Sequence, residues 1–270
     1  MTDFHFGGQP LDNDLIASVS HILHTAGVPT LLWGNYLLTV YGVPTIVDVC
    51  IPPTYHHCSP EAATNFYCPQ DAAFIVPDTL IETAYTILAD KGFIPCAPSF
   101  NCARSHTRRC PPPTSHLHID DNLAVSLHRK SDMLWAIPDL EDIDLSGGTD
   151  RNVMLACDRR LPRPVPGRGR GRFSSALDAV WIPSAVRYCE ALIILLCRDY
   201  GSAYEDYWVV LLTYMLEFVD GTELLDEDRL GEEYRPFYRA LGQADPKMYT
   251  HLDALRQDLS KGGILAIRPD

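Results

Sequence analysis

Residues 28–48 read VPTLLWGNYLLTVYGVPTIVD, and the order of pieces in this stretch decides the fold. Val28 to Trp33 is a short apolar run that stops at Gly34, the pattern of a buried strand. Asn35 to Tyr41 predicts a short helix closed by Gly42, and Thr45-Ile-Val47 begins a second β-like run that reaches Asp48.

Upstream, Leu15, Ile16, Val19, Ile22 and Leu23 recur at helical spacing between Asp14 and Ala26, with Asp12 or Asn13 as the cap and Gly27 as the stop. Downstream, Ala72–Val76 is strand-like. Thr79 to Lys91 places Leu80, Ile81, Ala84, Ile87 and Leu88 on one helical face, ended by Gly92. Phe93–Cys96 suits a strand, and 101–113 reads as a basic, proline-terminated loop. Ser115–Ile119 and Leu123–Leu127 alternate around Asp120-Asp-Asn122, a hairpin signal, because Asp and Asn tolerate turn geometry.

Two charged loops come next, one acidic (Asp139, Glu141, Asp142, Asp144, Asp150) and one basic (Arg159 to Arg172). From Pro183 the pattern turns helical. A largely buried helix starts with that proline in its first turn, a second covers Tyr204–Phe218, a third Asp226–Leu241 with a break or bend at Pro236, and a fourth His251–Leu259. The fold class is therefore α/β (α+β), with residues 1–172 as the mixed-sheet domain and 173–270 as a helical C-terminal region.

Residues 49–70 break the periodicity, with three cysteines, two adjacent histidines and four prolines. They read as an irregular insert. Joining Val47-Asp48 directly to Asp71 or Ala72 restores one continuous buried strand, so the insert is compatible with a translated intron. Sequencing the mature transcript decides this.

The order of helix, glycine-ended strand, short helix with Tyr41-Gly-Val-Pro44 and acid-bearing strand resembles the minimal nucleotidyltransferases of the polymerase-beta-like superfamily, especially a group of uncharacterised fungal proteins. In that superfamily a glycine turn approaches the triphosphate, and carboxylates from neighbouring strands hold two magnesium ions that clamp the attacking and leaving oxygens. The resemblance implies that Gly34 and Asn35 contact the nucleotide. It puts the paired acids at Asp48 or at Asp71, and a third carboxylate at Asp120, as metal and catalytic ligands. Neither position reads Asp-x-Asp, so metal-dependent transfer is expected to be impaired or lost. Magnesium is the implied cofactor of any surviving activity, and a nucleoside triphosphate the substrate or ligand. Adenylyl transfer to a protein or small molecule is a weaker option on the same fold.

Other signals are weighed on the residues alone. His116 and His118 lie on one face of a strand, where they suit a metal or a phosphate, or a plain surface role. Gly167-Arg-Gly-Arg-Gly-Arg172 reads as flexible, and Arg168 or Arg170 is the candidate to neutralise phosphate, against a solvated loop paired with nearby acids. Cys50, His56, His57, Cys58 and Cys68 lack paired zinc-ligand spacing. The rows Tyr188, Leu192, Leu195 and Tyr207, Val210, Leu211, Tyr214 read as helix contacts, and no glycine-flanked serine turn supports a hydrolase.

Composition sets the outer limits. With 270 residues, 46% hydrophobic content and a formal charge of -13, the chain is long enough for a real core and too acidic for general binding to nucleic acid or anionic membrane. No apolar run approaches the roughly 20 residues of a membrane span. Nine irregularly spaced cysteines and no secretory pattern favour reduced thiols and a cytoplasmic setting. The alternative function is a non-enzymatic module that docks a protein partner through its charged loops.

Overall fold

Antiparallel, parallel and again antiparallel pairings alternate across one central sheet. The computed structural model describes residues 4–44, 71–96, 102, 110–138, 140, 151–166 and 168–265. Asp48, the 49–70 insert and the acidic loop from Glu141 to Asp150 lie outside the described residues, as does Asp139.

Among the described residues the sheet has five strands, β1 (Leu31–Trp33), β2 (Ala72–Val76), β3 (Ile94–Pro95), β4 (Ser115–His118) and β5 (Ala124–Arg129), in the order β1-β2-β5-β4-β3. β2 and β5 run parallel and the other pairs are antiparallel. The parallel pair needs a crossover, which runs through the helix α3 (Ile81–Asp90) and the β3–β4 edge. β1 and β2 are apolar and buried at every position because both faces are covered, and β5 is buried at every position but Arg129.

The helix α1 (Asn13–Thr25) packs with α3, and α3 in turn lies on β4 and β5. Asp12 caps α1 by accepting from the Leu15 amide at 2.9 Å. The short helix α2 (Gly34–Val40) leaves β1 directly, and a four-residue turn of helix, α4 (Lys130–Met133), follows β5.

Two short strands absent from the sequence-based reading, β6 (Val153–Leu155) and β7 (Trp181–Pro183), pair antiparallel, and β7 lies against β1. Pro183 therefore ends a strand and does not open the next helix. Ser184 caps that helix, α5 (Ala185–Asp199), whose side chains are buried on nearly every face. The rest of the C-terminal region is α6 (Glu205–Phe218), α7 (Arg235–Gly242) and α8 (Met248–Lys261). The expected helix over 226–241 is a single 3-10 turn at Glu227–Arg229 followed by α7. Pro236 lies in the first turn of α7, where a missing amide costs nothing, and so starts the helix that it was expected to bend.

Buried side chains on both sides of Arg172 belong to one continuous cluster. The Trp33 and Tyr188 rings meet edge to face at 4.7 Å, and the Tyr41 hydroxyl donates to the Pro183 carbonyl at 2.7 Å. The C-terminal helices thus complete the core of the sheet.

The glycine-rich basic run is also placed differently from its sequence-based reading. Gly169 passes so close to the end of α2 that an added Cβ would lie 2.4 Å from the carbonyl oxygens of Thr39 and Val43. The Gly171 amide donates to Thr39, and Arg172 to Pro162. Gly169 and Gly171 serve close backbone approach, and this part of the run is pinned to α2.

Candidate functional site

Register brings one set of side chains to a single face. Trp33 is opposite Ala73, Ala73 opposite Ser126, and Ser126 opposite His116, so all four point the same way from the sheet. Asp71, two residues before Ala73, and His128, two after Ser126, extend this row. The face opens into a small cleft of about 60 Å³ lined by Gly34, Asn35, Asp71, Ser126 and His128, walled by Cys110–Pro113 and by Tyr207 and Trp208 of α6.

The turn into the cleft is made by Gly34, whose φ of 70° lies in the left-handed region that a side chain disfavours. Asp71 is held by β5, since one carboxylate oxygen accepts from the Ser126 hydroxyl at 2.9 Å and the other from the Ala124 amide at 3.2 Å. Burial pushes the His128 imidazole down to about 4, against the opposing pull of the Asp71 charge, so His128 is neutral at pH 7. No lysine or arginine lines the cleft among the described residues.

Trp208 is fixed from behind. Its indole N–H donates to Asp199 at 2.9 Å, and Arg198 grips the same carboxylate with two bonds at 2.8 and 2.7 Å. Both members of this ion pair are buried. Arg198 also stands over the Trp135 ring at 5.1 Å.

The sequence-based candidates divide. Gly34, Asn35 and Asp71 share the cleft, whereas Asp48 lies outside the described residues. Asp120 is exposed at the β4–β5 hairpin, where one oxygen accepts from the Asn122 and Leu123 amides at 2.7 Å each; it does not line the cleft. Its carboxylate is engaged in the turn that the sequence signalled.

Arg170 donates to the Leu11 carbonyl at 3.1 Å and stacks on Tyr36 at 4.8 Å. Arg168 lines a second hollow with Gly42, Arg160 and Arg163, at the end of α2 remote from Gly34. Neither arginine joins Asp71. His116 and His118 meet edge to face at 5.2 Å, with the Cys102 sulfur 3.3 Å from His116 Nε2.

Ser126, His128 and Trp208 were missed because nothing in sequence marks them. The alternation within Ala124–Arg129 puts Ser126 and His128 on one face, but only the parallel pairing with β2 brings Asp71 beside them. A two-metal clamp needs carboxylates from more than one position, and Asp71 is the one carboxylate in the cleft among the described residues.

No family model matches this chain, and no curated protein matches it. Among solved structures it is similar to the crystal structure of an antigenic nucleotidyltransferase-like protein from Paracoccidioides brasiliensis, at 14% identity and a TM-score of 0.40, over 91% of this chain and 95% of that one. A likeness of that size says nothing about activity. No helix among the described residues is long and apolar enough to cross a membrane.

Proposed function

We propose that the chain is a nucleotidyltransferase-type protein that binds a nucleotide in the cleft between Gly34 and Asp71 and is impaired in metal-dependent transfer. The observation that carries this reading is that the glycine-ended strand and the start of the acid-bearing strand β2 face one hollow together. Gly34 allows backbone to approach a ligand, and the partly exposed phenol of Tyr207, backed by the buried Trp208, offers a flat surface for a base. Impairment follows from the donor set. Asp71, the one carboxylate that lines the cleft among the described residues, already accepts two hydrogen bonds and by itself holds a magnesium pair poorly, so no transfer step is routed through metal here.

The absence of a cation on the described lining favours a second reading, in which the cleft persists as architecture and the protein acts by docking a partner. A triphosphate beside Asp71 in a chain of formal charge -13 meets repulsion, with no arginine among the described lining residues to offset it.

Calorimetry with ATP, GTP, CTP and UTP, each with magnesium, separates the two. Binding heat with at least one nucleotide, without appreciable transfer of labelled nucleotide to acceptor or water, is expected. No heat with any of the four removes nucleotide binding and leaves the docking reading; rapid transfer contradicts the impairment.

A further inference from the structure

We propose that Cys96, Cys102, His116 and His118 form a structural zinc site at the β3–β4 edge of the sheet. The four ligand atoms, two sulfurs and two imidazole nitrogens, all lie within 4.8 Å of one another. Zinc bound at about 2.3 Å to sulfur and 2.0–2.1 Å to nitrogen sets neighbouring ligand atoms roughly 3.3–3.8 Å apart in a tetrahedron. Cys102 Sγ and His116 Nε2 are already at 3.3 Å, so little contraction is needed to close the set.

The sheet explains why these residues converge. His116 and His118 alternate on β4 and so share a face. The pairing of Ile94 with His118 and Pro95 with Leu117 continues to bring Cys96 opposite His116, on the same side. Cys102 arrives from the following loop and is buried, as is His118, while Cys96 and His116 are partly exposed.

Two thiolates and two imidazoles in a tetrahedron select zinc over magnesium or calcium, which prefer oxygen, and four protein ligands leave no open position for chemistry. The role is structural. Cys110 follows Cys102 by eight positions and begins the Cys110–Pro113 wall, so the metal anchors the chain just before that wall. None of the four ligands lines the cleft, and the site stands whatever the cleft binds.

The test is metal content of the full chain, grown with added zinc and purified with reductant and without chelator. About one zinc per chain is expected in the wild type and in the control Cys157→Ser, with most of it lost in Cys102→Ser and His118→Asn. Should those variants not fold, cobalt(II) added to the chelator-stripped wild type gives thiolate-to-cobalt charge transfer in the near ultraviolet and intense visible bands of tetrahedral cobalt. Zinc-free wild type lacking these bands overturns the proposal, as does full zinc retention in Cys102→Ser or a Cys96–Cys102 disulfide under those reducing conditions.

Discussion

At the scale of single residues, the cleft depends on groups whose importance is set by what they touch. Asp199 follows Arg198 directly in the chain, a pair that in sequence looks like any surface couple on a helix. Both are almost wholly buried, and the carboxylate also orients Trp208, a wall of the cleft. Replacing one partner strands the other charge in a low-dielectric interior, which costs far more than an exposed pair is worth. Asp199→Ala is therefore expected to lose about 3–5 kcal/mol of unfolding free energy by urea denaturation. A loss below about 1 kcal/mol, the size of a surface pair, contradicts this account. The candidate acids were legible to unequal degrees for the same reason. Asp71 adjoins a readable strand, whereas the fate of Asp120 turned on the local turn chemistry that made the hairpin legible in the first place.

At the scale of elements, the strongly periodic pieces were legible. α1, α3, α6 and the β4–β5 hairpin fall within a few residues of their sequence-based bounds, because burial of one face or alternation around a turn leaves a direct mark on the residues. The pieces that escaped are those decided by distant contact. β6 and β7 are three residues each and gain meaning only by pairing across the chain. Pro183 was expected to open a helix and Pro236 to break or bend one, whereas in the structure Pro183 ends a strand and Pro236 starts a helix. The run Gly167–Arg172 looked flexible because glycine permits freedom, but the same residue also permits close approach, and the structure uses Gly169 in that second way. Gly169→Ala forces a methyl group onto two carbonyl oxygens at the end of α2 and is expected to cost about 1–3 kcal/mol, read as a lower unfolding midpoint. An unchanged midpoint contradicts a pinned segment.

At the scale of the whole molecule, one mixed sheet is covered on both faces, by α1 and α3 on one side and by the C-terminal helices α5 and α6 on the other, with the cleft at the edge of the second cover. The order of elements foretold the sheet and the helical C-terminus. It could not foretell that α6 walls the cleft, since that contact joins residues more than a hundred positions apart. It also could not separate Arg168 from Asp71, which lie toward opposite ends of α2. The central claim, that ligand binds between Gly34 and Asp71, is tested most directly by hydrogen–deuterium exchange with and without saturating nucleotide and magnesium. The account predicts slowed exchange confined to residues 31–40, 71–76, 124–129 and the adjoining part of α6. Protection centred on residues 159–172 with these segments unchanged, or no protection anywhere, contradicts it.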